Sequence, residues 1–370
     1  MDDRITVLGL DVHKETIAAA MLTAGTESPR DWGQVPNTPE AVRKLIQRAQ
    51  GRGPVVAVYE AGPCGFTTHR QVTELGVRCV VIAPSLIPVR PGDRVKTDRR
   101  DAAKLARLFR AGELTEVRVP SADQEAARDL VRIREDVLEN RLRARHRMSK
   151  FLLRLGRIWR ETKPWGAVHA AWLRAQRFDE PAWQQTHDAY LRTLAETDEH
   201  LRVLTEQVGD VATWPAYREV VAALRCLKGV DTLSAVTLAA EIQDFHRFPN
   251  APAFMAYTGL VGRERSSGER TRRGGITKAG NAHVRRVLVE AAWSYRHAKN
   301  TVGAGLTVRR AGVSPELVRV AQRAQDRLTR TFWRLVSRNK PSQVAVVAVA
   351  RELAGFVWAL ARQAVPEAKA

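Results

Sequence analysis

The chain has 370 residues, with 60 Lys and Arg against 40 Asp and Glu, a formal charge of +20 and a sequence pI near 10.7. That excess favours a polyanionic partner, nucleic acid first, over a merely solvated surface. "MDDRITVLGLD" lacks the pattern of a secretory signal, no apolar run is expected to approach the roughly 20 residues a bilayer needs, and the isolated Cys64, Cys79 and Cys226 indicate neither a disulfide framework nor a zinc ribbon.

In chain order, residues 5–10 (ITVLGL) and 16–22 (TIAAAML) are apolar runs joined by DVHKE, which reads as a hairpin. A further apolar run, VVAVYE at 55–60, precedes a helical stretch after Gly65 and the run VRCVVIAP at 77–84. Between Thr97 and Ala111, Ala102, Leu105, Ala106 and Leu108 recur at helical spacing. Strands alternating with helices after an opening hairpin predict an α/β sheet domain over residues 1–120.

From Ser121 to Ala223 the texture changes to long stretches rich in Arg, Glu and Leu. Leu130, Ile133, Val137, Leu142 and Met148 sit mostly three to five residues apart, which predicts a long helix or coiled-coil arm over 121–223. The break at ETKPWGAVHAAW suggests that the arm folds back, with a second helix near 182–210. From Leu224 the chain reads as a compact, mostly α domain, 224–370. Its LKGVDTLSAVTLAAEI segment has the pattern of a helix-hairpin-helix, whose turn N–H groups face a phosphate, although a glycine between two helices is also an ordinary turn. The last apolar helix, VAVVAVARELAGFVWALARQ, is expected to be too short and too charged to span a membrane and to pack in the core or in an oligomer interface.

The chemistry-bearing residues begin with RVKTDRRDAAKLARL, where Asp98 and Asp101 stand three apart among Lys96, Arg99 and Arg100. On a helix the two carboxylates share a side and could hold one divalent cation. Alternatively Asp98 caps the helix and Asp101 offsets its dipole. Two further acids, Asp11 in GLDVHK and Glu60 in AVYEAG, end apolar runs where a sheet opens to solvent. Four carboxylates from two strand ends and one helix are the arrangement of a ribonuclease-H-like centre that clamps a phosphodiester with Mg²⁺. The neighbouring cations suit an anionic strand.

The second stretch, GLVGRERSSGERTRRGGITKAGNAHVRR at 259–286, gathers Arg263, Arg265, Arg270, Arg272, Arg273, Lys278, Arg285 and Arg286 against only Glu264 and Glu269. Its glycines let a backbone approach a ligand closely. One reading is a flexible phosphate-binding loop in which Ser266 and Ser267 are polar filler. The other is a serine nucleophile among arginines that stabilise a pentacoordinate phosphate, although no activating base is visible nearby.

The set Asp11, Glu60, Asp98 and Asp101 with KTDRRDAAKLARL, followed by GLVGRERSSGERTRRGGITKAGNAHVRRVLVEAAW, closely resembles the DEDD-type transposases of insertion-sequence family 110 over nearly the whole chain. The resemblance implies a RuvC-like N-terminal domain whose four acids hold Mg²⁺, a helical arm, and a C-terminal transposase domain. In that domain a serine before a glycine is the nucleophile, here Ser267, with Ser266 as the backup. It implies DNA cut and rejoined through a covalent phosphoserine, donor and target DNA selected by a structured non-coding bridge RNA, and dimers or tetramers with composite active sites. Lys96, Arg99, Arg100, Arg265, Arg270, Arg272, Arg273, Lys278 and Arg285 are expected to contact nucleic acid. The expected compartment is the bacterial cytoplasm, at the nucleoid. The competing classes are a metal-only junction resolvase and a non-catalytic nucleic-acid-binding protein.

Overall fold

A computed structural model describes residues 5–88, 97–267, 270–297 and 303–365, and along 265–273 only the backbone pairing. The chain forms two compact units, 1–120 and 121–370.

Unit 1 is a five-stranded sheet with helices on both faces. It comprises β1 (Thr6–Val12), β2 (Thr16–Leu22), β3 (Arg30–Pro36), α1 (Pro39–Gln50), β4 (Val55–Glu60), α2 (Thr67–Glu74), β5 (Arg78–Ile82) and α3 (Asp98–Arg110). The strand order is β3-β2-β1-β4-β5, with β1, β2 and β3 antiparallel in sequence and β4 and β5 parallel to β1. The apolar runs of β1, β2, β4 and β5 are continuous rather than alternating because both sheet faces are covered. Leu8, Leu10, Ala57 and Tyr59 pack with Val42, Leu45 and Ile46 of α1 and Val72 of α2. Val7, Leu22, Val56, Val58 and Ile82 pack on the opposite face with Leu105, Ala106 and Phe109 of α3. Strand β3 has no apolar run to announce it: RDWGQVP forms at the sheet edge by pairing with β2. Thr38 caps α1 by accepting from the Ala41 N–H at 3.3 Å.

Helix α3 lies unusually close to β1. A Cβ at Gly9 would stand 2.1 Å from the Ala102 carbonyl oxygen and 3.0 Å from the Ala106 nitrogen, so only glycine lets the helix backbone sit there. The far end of α3 is tied down by Arg110, which donates to the carbonyls of Ile5 (3.0 Å), Leu22 (2.7 Å), Thr23 (3.0 Å) and Thr26 (2.9 Å).

Unit 2 opens with α4 (Ala122–Arg154), started by a capping box between Ser121 and Gln124. It continues through α5 (Ala167–Ala175), α6 (Pro181–Val211), α7 (Arg218–Leu224), α8 (Thr232–Ile242), α9 (Ala251–Tyr257), the ribbon β6 (Gly262–Ser267) and β7 (Arg270–Ile276), α10 (Ala282–Ala292), α11 (Ala304–Arg310), α12 (Pro315–Val336) and α13 (Ser342–Ala364). Helices α4 and α6 pack along each other as the predicted arm folds back. On α6, His187, Leu194, Leu201 and Val208 recur every seven residues on the buried seam. On α4 the buried residues include Ala127, Val131, Val137, Ala144 and Met148. Ile133 and Leu142, which the spacing assigns to the apolar face, are instead 42% and 54% exposed. They fall between the seam positions, where Arg134 (Nε to Thr205 Oγ1, 2.9 Å) and Arg141 (Nη1 to Asp198 Oδ1, 3.4 Å) reach across to α6. The root of the arm shares one core with the C-terminal helices, because Ala127, Val131, Val208 and Val211 cluster with Leu224, Val236, Leu288, Leu328 and Leu353.

Helices α7 and α8 flank the turn of the segment read as a helix-hairpin-helix. Gly229 takes φ +84° in its turn, and Asp231 caps α8 by accepting from the Ser234 N–H at 2.8 Å. Helix α13 corrects one expectation. With 23 residues it is long and apolar enough, by length and composition alone, to cross a membrane, and it is the single such helix among the described residues. The helix adds Ser342 and Gln343 before the apolar run and Ala364 after it, and its charges are few. In this fold Ala345, Val346, Val349, Leu353, Val357 and Leu360 are buried in the core of unit 2, which accounts for its apolar character.

Candidate active site

The acids of unit 1 are positioned by the alternation of the sheet and the period of α3. Gly9 and Asp11 fall on the α3 face of β1, after Val7. On the parallel strand β4, Val56 and Val58 take the same face, and so does Glu60, whose ladder partner Ile82 packs there. The last residues paired between the two strands are Leu10 and Tyr59, so Asp11 and Glu60 follow side by side at the carboxyl ends. On α3, Ala102 and Leu105 face the sheet, and Asp98 and Asp101 lie one turn before each of them. The close approach at Gly9 therefore lowers the start of α3 onto the strand ends that carry Asp11 and Glu60.

The resulting contacts run through a residue that sequence reasoning did not select. His13 Nε2 lies 3.3 Å from Asp11 Oδ2 and 3.6 Å from Asp98 Oδ1, and ligand atoms of all three side chains lie within 4.8 Å of one another. The signal was present in GLDVHK, since a residue two beyond Asp11 on a strand returns to the same face. Burial pushes the Asp11 carboxyl above its ordinary 3.8; His13 opposes the rise, and the charges of Asp98 and Asp101 add to it. A carboxylate raised in this way by burial and by neighbouring negative charge is relieved by a cation. The donor set suits a hard divalent ion held by carboxylate oxygens, with Asp11, Asp98 and Asp101 in one electrostatic group and Glu60 on the adjacent strand end. His13 is exposed and bridges Asp11 and Asp98.

The capping alternative for Asp98 resolves in favour of its neighbour. Thr97 is the N-cap of α3, while Asp98 and Asp101 occupy the first turn. Both therefore gain from the helix dipole whether or not an ion is bound. Of the nearby cations, Arg99 pairs with Asp31 at 3.2 Å and Arg100 is exposed. Lys96 lies outside the described residues.

In unit 2 the arginine- and glycine-rich stretch is an antiparallel ribbon rather than a loop. Ser267 pairs with Arg270 and Ser266 with Thr271, so both serines are at its tip. The side chains of Arg265, Ser266, Ser267, Arg270, Arg272 and Arg273 lie outside the described residues. The base of the ribbon is held tightly. Thr277 N–H donates to the Val261 carbonyl (2.9 Å) and Lys278 N–H to that of Gly259 (3.1 Å). Gly259 and Gly280 have φ of +68° and +80°, and a Cβ on either would come within 2.1 Å or less of a backbone oxygen. Lys278 is exposed, whereas Arg285 turns inward and donates to the carbonyls of Thr258 (3.0 Å) and Ala279 (3.4 Å).

Below the ribbon, Asn281 caps α10 through the Val284 N–H (3.0 Å) and donates to Glu241 Oε2 (2.7 Å). Glu241, buried on α8, also receives a two-pronged contact from Arg132 of α4 at 2.8 and 3.0 Å. Glu135 of α4 bonds both His283 and Arg286 of α10. These polar residues join three helices far apart in sequence, and no local pattern marks them.

Comparison with known proteins gives one family for both units. Residues 8–156 match a DEDD transposase model of the IS110 type, and residues 221–306 match the model described as transposase IS116/IS110/IS902 family. The chain is 45% identical to the y4qE protein of Sinorhizobium fredii, named as a transposase, over 98% of this chain and 90% of that one. It is 32% identical to the transposase for insertion sequence element IS1533 of Leptospira borgpetersenii, over 91% of this chain and 98% of the relative. The transposase for insertion sequence element IS1111A of Coxiella burnetii is 26% identical over 80% and 79% of the two chains. A DEDD transposase domain implies dependence on a divalent metal, and a transposase acts on DNA.

Proposed function

The chain belongs to the IS116/IS110/IS902 family of insertion-sequence transposases, and we propose that it is an RNA-guided recombinase joining DNA through a covalent phosphoserine. In this reading residues 1–120 are a RuvC-like, ribonuclease-H-like catalytic domain, 121–223 the coiled-coil arm, and 224–370 the transposase domain carrying the nucleophile. The observation that supports it is the close approach of α3 to β1 at Gly9, with Asp98 beside Asp11 and Glu60 at the end of the adjacent strand.

The four acids would hold Mg²⁺, which supplies charge neutralisation at the scissile phosphate and lowers the pKa of a coordinated hydroxyl. The protein's own part is to hold Asp11 and Asp98 close before the DNA arrives. Ser267 is the nucleophile: its Oγ attacks phosphorus, the bond from phosphorus to the departing deoxyribose oxygen breaks, and the serine proton leaves as that oxygen gains one. The phosphodiester energy is kept in the serine ester, so rejoining by a deoxyribose hydroxyl needs no nucleotide triphosphate. Ser267, which precedes Gly268, is the serine the family resemblance gives, with Ser266 as the backup. Lys96, Arg99, Arg100, Arg265, Arg270, Arg272, Arg273 and Lys278 would contact phosphates; Arg285 would contribute by holding the ribbon base.

The family resemblance supplies the remaining parts of the proposal: a bridge RNA that selects donor and target DNA, a dimer or tetramer, and a composite centre in which the acids of one subunit work with the serine of another. The setting is the bacterial cytoplasm, at the nucleoid.

The test is a denaturing gel of protein, element-derived RNA, element-end DNA and Mg²⁺. A protein–DNA band that survives denaturation and disappears with Ser267→Ala supports the serine ester. Cleavage without an adduct, unaffected by Ser267→Ala, would leave a metal-only junction resolvase. Asp11→Ala mixed with Ser267→Ala should recover activity if the centre is composite; no recovery from two variants that still associate refutes that part.

A further inference from the structure

The end of the helical arm, residues 157–178, lies between the two segments that match the family models. From Arg147 to Phe178 the sequence has eight Lys and Arg (Arg147, Lys150, Arg154, Arg157, Arg160, Lys163, Arg174 and Arg177) against the single acid Glu161. None of the described ion pairs involves Arg154, Arg157, Arg160 or Lys163. This excess therefore differs from that of the arm's shaft, where Arg141, Arg143 and Arg202 pair with acids.

The same tip carries an open cleft of about 360 Å³ lined by Arg157, Trp159, Arg160, Thr162, His169 and Trp172, among others. Its aromatic wall is ordered by packing. Trp159 stands 5.4 Å from Trp172 and 5.1 Å from His169 between ring centroids, and His169 stacks on Trp172 at 5.6 Å with 22° between planes. The Trp159 indole N–H is fixed on the Thr162 carbonyl at 2.7 Å. His169 Nδ1 accepts from the Trp165 N–H at 3.1 Å, and burial pushes the imidazole below its ordinary 6.5. Leu153 and Ile158 at the rim are each 49% exposed. Arg157 reaches the Arg177 carbonyl at 3.5 Å, and no described ion pair neutralises Arg157 or Arg160, so the mouth of this half-open aromatic cleft carries uncompensated positive charge.

We propose that this cleft binds an unpaired nucleotide, its base against the Trp159–Trp172 wall and its phosphate on Arg157 and Arg160. The volume is that of a small-ligand pocket, the rings provide flat apolar area, and the arginines provide the counter-charge. A paired duplex cannot use it, because its bases are stacked inside; the arm end thus distinguishes a loop or an opened strand from a double helix. This inference requires only that the protein bind nucleic acid, and it stands apart from the serine ester and the composite centre.

The test uses the full-length protein and four ligands: a hairpin RNA with an open loop, a DNA single strand, and RNA and DNA duplexes of equal length. Arg157→Gln/Arg160→Gln is expected to weaken the unpaired ligand about 10-fold and the duplexes less than about two-fold, since one stacked base with its phosphate contributes on that order. Trp159→Leu should have the same selectivity and Trp159→Phe should restore binding. An iodouracil placed in the unpaired segment should photocross-link to Trp159 or Trp172. Equal losses for duplex and unpaired ligands, no loss for either, or cross-links confined to other parts of the chain would overturn the proposal. Should RNA guidance fail while a DNA single strand still binds here, the cleft is upheld and the guidance is not.

Discussion

Replacing Gly9 with alanine adds one carbon, and the structure gives it no room. The new Cβ would lie 2.1 Å from the Ala102 carbonyl oxygen, whereas Cβ atoms essentially never come under 3.0 Å of another heavy atom. Both sides of the clash are backbone, so no side-chain rotation relieves it, and α3 must retreat by roughly 1 Å. Overpacking of this kind costs about 1–3 kcal/mol. For a unit the size of residues 1–120, about 2 kcal/mol corresponds to a fall in Tm of roughly 6–12 °C. The functional cost is separate: Asp98 and Asp101 ride on α3 while Asp11 and Glu60 do not, and a misplacement of about 1 Å at a catalytic constellation can cost about 100-fold in rate. Gly9→Ala should therefore fold at 25 °C, melt earlier, need more divalent metal for half-maximal DNA cleavage, and cleave far more slowly at saturation. Gly51→Ala is the control, as its nearest contact is an ordinary 3.6 Å at the end of α1. A Gly9→Ala protein with unaltered melting and cleavage would refute the account of how the acids are brought together.

Three further outcomes are expected. Arg110→Met removes four hydrogen bonds to strand and turn carbonyls at once and should lower stability by about 2–4 kcal/mol; an unshifted denaturation midpoint would count against the anchor. On Glu241 burial is the largest single influence and pushes the carboxyl up, but the hydrogen bonds from Arg132 and Asn281 and the charges of Arg132 and His283 together hold it below its ordinary 4.5. The stability it contributes is thus complete above pH 4.5 and lost as pH falls through the lower folded-state value. Glu241→Gln should be the less stable protein at pH 7, with the gap closing below pH 4.5, and a gap that stays constant across that range would sink the assignment. On the arm, Met148→Ala should cost about 2–5 kcal/mol and Leu142→Ser less than about 0.5 kcal/mol, because the first is buried in the seam and the second is exposed; equal effects by chemical denaturation would contradict the seam register.

Much of unit 1 was legible before folding. Strands β1, β2, β4 and β5 are apolar runs bounded by turns, and α3 shows its buried face at Ala102, Leu105 and Ala106. Asp11, Glu60, Asp98 and Asp101 were selected because two end strands and two open a helix. These are local signals, carried within a few residues by the periods of strand and helix.

What the tertiary structure decided is non-local. RDWGQVP is a strand only because β2 offers it a ladder, and the stretch from Gly262 to Ile276 is a ribbon because its two halves pair. On α4, apolar spacing alone could not tell Leu142 from Met148, since the seam follows α6 and accommodates Arg134 and Arg141 instead. Likewise nothing near Glu241 in sequence indicates that Arg132 and Asn281 will meet its carboxylate. Sequence marked the candidate carboxylates; the missing side chain of Gly9, read against the backbone of a helix about ninety residues later, decided that Asp98 could come beside Asp11, because steric exclusion acts only between segments that folding has already brought into contact.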